Sequence, residues 1–487
     1  MKRFFSNKTV FAAVFIMLLF TGISVAEKSW AAGINGVLRV HPENSRYFTD
    51  DSGKAIYLTG SHTWFLIQEH PGYGQTDNSY QRMEEYLDWM QSHGHNFFRV
   101  WINFAYGEVS PHPWERTGPG YAADGKLKAD MTRFDESYFQ LIRERLMQIQ
   151  KRGMYASVML FGSGNNLRNE PAWRNSLWHP DNNINPELAA TFNKSDGNSF
   201  YTTNPDAVEI QRKLVRKTVD TLNDLDNIIW EIINEAKLPE SRSWQYGMIN
   251  YVRGYESGKS KQHPIGMTGG WDQSQNALKE SPADWISPDE HPDNYMEGGP
   301  ANYMGKVVIS DTDHLWGYSD PNSADTYRWW TWKTFTRGHN PIFMDSYDSD
   351  FCIYNICNYG TIDPVFDSVR KAMGYTRSYA EKINLASMVP SSSTSDCSTT
   401  YCLRNPGQEY LVYQPGSGSF SVNLAAGTYG YEWFDPKVGN ISGAGTVTVS
   451  SGNKSFTPPF SGDAVLYLVK KSADTAAPAA PIGLSVR

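Results

Sequence analysis

From residue 33 to about residue 385 one pattern recurs eight times: a short apolar run, usually followed by a stretch of helical spacing. The runs are Ile56–Gly60, Phe97–Trp101, Tyr155–Phe161, Ile228–Ile233, Pro264–Thr268, Asp284–Ser287, Lys306–Ser310 and Pro341–Met344. Short, nearly continuous apolar runs of this kind read as strands buried on both faces. Between them, Asp135–Lys151, Asn204–Leu225, Arg242–Gly258, Ala324–Gly338 and Pro364–Asn384 place apolar residues at helical intervals. In the first of these the apolar positions are Tyr138, Leu141, Ile142, Leu146, Met147 and Ile149. The segment between the sixth and seventh runs shows no clear helix. Eight strand-then-helix units within roughly 350 residues predict a closed (β/α)8 barrel, a TIM barrel of the α/β class. A doubly wound open sheet would normally carry a Gly-rich phosphate turn after its first strand. Here the first run leads into Gly60-Ser61-His62-Thr63-Trp64 instead.

The pattern changes at Pro390. Beyond it come short period-2 runs, Tyr410–Tyr413, Phe420–Leu424, Tyr429–Phe434, Thr446–Val449 and Ala464–Val469, separated by Gly, Pro, Asn and Asp. Alternation bounded by turn residues predicts a small antiparallel β-sandwich. The expected layout is therefore a leader over 1–26, a barrel over 33–387, a polar linker over 388–400 and a β-sandwich over 401–471. Residues 472–487 read as a Pro/Ala linker and the fragment of a following module.

The leader has the build of a secretory signal peptide. Lys2, Arg3 and Lys8 precede the apolar run Val10–Phe20, and Ser24-Val25-Ala26 offers a small-x-small cleavage site. The run is well short of the ~20 residues a membrane span needs. The mature chain is expected to be secreted, extracellular or periplasmic, and off the membrane. Cysteines Cys352/Cys357 and Cys397/Cys402 form two closely spaced pairs. An oxidising compartment favours local disulfides over a four-thiolate zinc site. The net charge of −8 comes without a basic stripe, which argues against a nucleic-acid partner.

In a barrel of this class the working groups stand at the C-terminal ends of the strands. Those ends are dense in carboxylates, amides and aromatics, the groups that cleave glycosidic bonds, bond hydroxyls and stack on sugar rings. The fourth run ends in Asn234-Glu235, which puts a carboxyl group at the barrel mouth as a candidate general acid. Glu231 shares its strand parity but lies deeper, and reads as a structural carboxylate. Glycoside hydrolysis needs a second carboxylate across the scissile bond. The seventh run supplies Asp311 and Asp313 on one face, with Asp311 nearer the rigid strand end. Arg99, near the end of the second run, requires an acid partner and could orient that carboxylate. His62, Trp64, Trp271, His314 and Trp316 follow strand ends and are candidate sugar-binding residues. Trp329, Trp330 and Trp332 lie on a helical pattern and read as core. There is no HExxH motif, and Asp345, Asp348 and Asp350 do not match an EF-hand, so no metal and no cofactor are expected. A Gly-x-Ser-x-Gly elbow is also missing, which disfavours an esterase.

With these residues in view, the chain resembles a clan A glycoside hydrolase barrel, closest to bacterial apiosidase-like and cellulase-like proteins followed by a small β-domain. The likeness covers about residues 36–471. It implies that Glu235 is the acid/base, that Asn234 bonds the sugar 2-hydroxyl and that Arg99 supports the nucleophile. SDTDHLWG (310–317) and RGHNPIFMD (337–345) look like signatures of the subgroup, and 401–439 resembles a domain labelled collagen-binding. The clan nucleophile is usually Glu, whereas the seventh run offers only Asp. One methylene fewer moves the carboxyl gap from the ~5–5.5 Å of retaining enzymes towards the ~6.5–9.5 Å of inverting ones.

Overall fold

The computed structural model describes residues 33–62, 79–102, 111–162, 164, 167, 170–270, 275–288, 295–301, 305–312, 315, 324–345 and 366–472. The expected leader, the C-terminal fragment, Cys352 and Cys357 lie outside them.

Eight parallel strands make one sheet: Gly60–His62, Phe97–Trp101, Tyr155–Met159, Ile228–Glu231, Ile265–Thr268, Trp285–Ser287, Val307–Asp311 and Asn340–Met344. From the second strand to the eighth each pairs with the next in chain order, and the eighth pairs with the first. The ring closes where the Thr59 carbonyl accepts from the Asn96 and Phe97 amides at 2.9 and 3.1 Å. All eight expected strands are present, with one correction. The first strand lies at Gly60–His62, beyond the expected Ile56–Gly60. Ile56 instead bridges Phe48, next to a two-stranded ribbon of Arg39–Val40 and Phe48–Thr49. Leu38, Phe48 and Leu58 pack with Phe97, Tyr155 and Val307, so the apolar residues before the first strand plug the bottom of the barrel.

The long helices begin where local chemistry satisfies their first amides. Asp135 caps Glu136–Lys151 by accepting from Ser137. Asn204 caps Pro205–Leu222 by accepting from Asp206 and Ala207, with Pro205 in the first turn. Trp330 and Trp332, on the helix Ala324–Thr336, are buried as expected.

Two elements raise the rim beside the second and third strands. A hairpin of Trp114–Tyr121 and Leu127–Phe134 precedes the helix Glu136–Lys151. The segment after the third strand folds over it. Asn182 and Asn185 accept from the Ala123 and Met131 amides, each at 2.8 Å, and sew the two together. Trp114, Trp173, Trp178, Phe192 and Phe200 fill the space beneath.

The C-terminal domain has a six-stranded antiparallel sheet and a two-stranded one. Val389–Ser391, within the stretch expected to link the domains, is an edge strand paired with Cys402–Asn405, and Cys397 is disulfide-bonded to Cys402. The strand Glu409–Gln414 shows why alternation matters here. Tyr410 and Val412 face the small sheet with Phe420 and Val422. Leu411 and Tyr413 face the barrel with Trp332, Phe335 and Tyr379. Arg328 and Asp463, both buried, form an ion pair across this interface at 2.8 Å. No helix among the described residues is long and apolar enough to cross a membrane.

Candidate active site

Inside the barrel, strand alternation and register stack side chains in layers. Near the bottom the layer is apolar, with Phe97, Tyr155 and Val307. Above it come Ile229, Trp285, Ile309 and Ile342. Gly60 and Gly266 stand in that layer without side chains. A Cβ on Gly266 would overlap the Trp285 indole, so the glycine is what admits the ring. One layer higher the lining turns polar: Arg99, Ser157, Glu231, Thr268, Ser287 and Asp311, every one buried.

Arg99 organises this polar layer. Its Nε donates to Glu231 Oε2 at 3.1 Å and its Nη2 to Glu231 Oε1. Nη1 donates to Asp311 Oδ2 at 2.8 Å. Nη2 also reaches Asn234 Oδ1 at 2.8 Å and Thr268 Oγ1 at 3.1 Å. Thr268 in turn donates to Glu231. A guanidinium only donates, so the amide of Asn234 must present its oxygen to Arg99, and its NH2 is the end left for other partners. One cation thus ties the fourth strand to the seventh, between two carboxylates that are each 0% exposed. A bidentate Arg–carboxylate fork fixes orientation as well as charge.

Asp311 is the last residue of its strand. Its main chain is held from the far side, where the buried Tyr295 hydroxyl donates to the Asp311 carbonyl at 2.5 Å. Tyr295 stacks on Trp330, whose indole N–H donates back to the Tyr295 carbonyl at 2.9 Å. Glu235, 5% exposed, follows the fourth strand in a left-handed conformation with φ of 48°. Among the described residues of the barrel it is the one non-glycine residue with positive φ. Such strain is costly and clusters at functional sites.

Of the sequence candidates, Arg99, Asn234 and Asp311 are therefore brought into direct contact, with Glu235 the next residue after Asn234. Asp313, Trp64, Trp271, His314 and Trp316 lie outside the described residues, as does the side chain of His62. Thr268 and Tyr295 were not singled out from sequence. Thr268 ends a strand with inward parity, a usable signal, whereas Tyr295 sits in a loop with none. Glu231 keeps its structural reading and gains a specific partner in Arg99. Asp345, at the end of the eighth strand, forks with Arg370 at 2.6 and 3.0 Å and faces the helix layer. Among the described residues no group of three or more His, Cys, Asp or Glu side chains could hold a metal ion.

Residues 97–285 match a family model described as a domain of unknown function, DUF6298. No protein with a curated description matches the sequence. Similar solved structures include a protein named glycoside hydrolase, at 15% identity and TM-score 0.58, with 90% of this chain and 98% of that one covered. A glycoside hydrolase family 5 structure from Bacteroides vulgatus gives 15% identity and TM-score 0.58, covering 90% and 95%. A second structure from that bacterium gives 13% and 0.61, covering 90% and 83%. Likeness at this identity establishes the barrel fold.

Proposed function

We propose that this protein is a glycoside hydrolase that cleaves O-glycosidic bonds in plant-type poly- or oligosaccharides with two carboxyl groups. The observation that carries the reading is the Arg99 bridge. It binds Asp311 on the seventh strand and Asn234 on the fourth, immediately before Glu235, which supports a reading in which the two acids share one mouth. The fold similarity to glycoside hydrolase structures supports the same reading.

In the proposed reaction Glu235 protonates the glycosidic oxygen while an Asp311 oxygen attacks the anomeric carbon. The C–O bond breaks, its electron pair stays on the leaving oxygen, and a glycosyl ester forms on Asp311. Glu235, now a carboxylate, takes a proton from water as that water attacks the same carbon and releases Asp311. The Asn234 NH2 is the donor offered to a ring hydroxyl. Arg99 holds Asp311 in position for attack and takes it back as a carboxylate when the ester is released.

New reducing ends on incubation with plant-wall glycans would test the activity. Glu235→Gln should lower turnover by roughly 10²–10⁴-fold, the usual contribution of a positioned acid, and leave binding in place. Normal turnover by that variant would reject the role. Asp311→Asn should abolish the reaction while Asp313→Asn leaves a measurable rate. NMR of the first-formed anomer should show retention, and inversion would make Asp311 the base that activates water. A protein that binds glycans and releases no ends would be a carbohydrate-binding protein on a decayed barrel.

We propose further that the chain is exported. The charged-apolar-small order of residues 1–26 supports this, as does the Cys397–Cys402 disulfide. Mass spectrometry of the secreted chain should find an N-terminus at Glu27.

A further inference from the structure

The turn that carries Glu235 is flanked on both sides by glycines. Gly164, which follows the third strand, lies against one side of Ala236. A Cβ there would stand 2.7 Å from the Ala236 nitrogen and 2.9 Å from its Cβ. Gly270, after the fifth strand, lies against the other side. Its Cβ would stand 2.6 Å from the Ala236 carbonyl oxygen and 3.3 Å from that of Glu235. Real Cβ atoms do not approach backbone this closely, and backbone cannot swing aside as the end of a long side chain can. Hydrogen bonds lock the third-strand side. The Asn234 amide donates to the Gly162 carbonyl at 3.0 Å, and the Gly164 amide donates to the Asn234 carbonyl at 2.6 Å. Between the two contacts Ala236 is fully buried, and Glu235 holds its left-handed φ of 48°.

We infer that Gly164 and Gly270 are positioning residues: they form a clasp that holds the strained turn at Glu235 and so aims its carboxyl group. The inference rests on the acid role proposed for Glu235. A left-handed residue with a side chain relaxes to a commoner conformation unless its surroundings over-determine it. A strand continuing in its own alternation would carry residue 235 in the extended direction. Two backbone contacts at van der Waals range supply the constraint, and only glycine lets both segments come that near.

The test compares leaving groups. Cleavage of a sugar leaving group needs the proton from Glu235, whereas release of an activated dinitrophenol does not. Gly270→Ala and Gly164→Ala should each lower kcat on an oligosaccharide at least tenfold. They should lower single-turnover release of dinitrophenol from the matching aryl glycoside by less than threefold, with KM nearly unchanged. Gly247→Ala, on a helix with open space around it, is the control and should change neither rate. Equal loss on both substrates would mean general structural damage, and no loss on either would mean no aiming; each overturns the clasp. A second measurement does not depend on catalysis. Glu235→Gly should melt at a higher temperature than Glu235→Ala, because only glycine relieves the strain at that φ. A Glu235→Gly variant melting at or below Glu235→Ala would overturn the clasp even if the alanine variants at 164 and 270 failed to fold. If the native protein releases no product from any glycan, the hydrolase reading fails, and the melting comparison alone decides the clasp.

Discussion

Replacing Arg99 by Met keeps most of the side-chain volume and removes the cation from the polar layer. Glu231 and Asp311, both fully buried, then lose their shared partner. Breaking a buried pair by deleting one member costs about 3–5 kcal/mol, because the other charge is left uncompensated. Here two charges are left. Carboxylates that shared one guanidinium stand roughly 5 Å apart and, at an effective dielectric near 20, repel by about 3 kcal/mol. The sum, about 6–8 kcal/mol, is comparable with the whole stability of an ordinary domain, about 5–15 kcal/mol. Arg99→Met should therefore fold marginally or not at all. Adding Glu231→Gln removes one charge and the repulsion together. The double variant should recover about 3 kcal/mol over Arg99→Met, although Glu231→Gln alone should destabilise the native chain by about 1–3 kcal/mol. Urea unfolding followed by tryptophan fluorescence reads all four corners of this cycle. A double variant no more stable than Arg99→Met would refute the claim that one guanidinium neutralises both acids.

Three further outcomes are expected. Gly266→Ala drives a methyl group into the Trp285 indole and should cost about 1–3 kcal/mol, the usual penalty of overpacking; Trp285→Leu in the same chain should return part of it in a thermal melt. Asp463→Ala leaves Arg328 buried beside Asp325 alone and should cost about 3 kcal/mol, with faster proteolysis between the domains as the readout. His95 and His339 are both held down to about 3 by burial, each with Nε2 against a carbonyl, of Arg370 and Pro300. The unfolded chain gains their protons near pH 6.5 and the folded chain does not. Stability should accordingly fall as pH drops from 6.5 towards 3, by about 2 kcal/mol per histidine already at pH 5. A flat stability profile from pH 7 to pH 5 would exclude this.

The eight strands, the helices that begin at Asp135 and Asn204, and the placing of Asn234-Glu235 and Asp311 at strand ends are legible in the chain alone. Each is written in a few consecutive residues, since burial on both faces makes an apolar run and an unsatisfied first turn calls for a side-chain oxygen. The first strand was misplaced because Ile56 to Leu58 is as apolar as a barrel strand, and only the ribbon beneath showed that it serves as the plug. The hairpin Trp114–Phe134 was missed because its strands pair out of register and carry no clean alternation. The partners of Arg99 were beyond local reading. Glu231 is 132 residues away and Asp311 is 212, and they meet at one guanidinium only because the ring closes in a particular register. Nothing in the residues around Gly164 and Gly270 marks them out, because their contact with the fourth strand's turn exists only in the closed barrel. Periodicity records which way a side chain faces; what it touches across a barrel is decided by closure and register, which no short window of sequence contains.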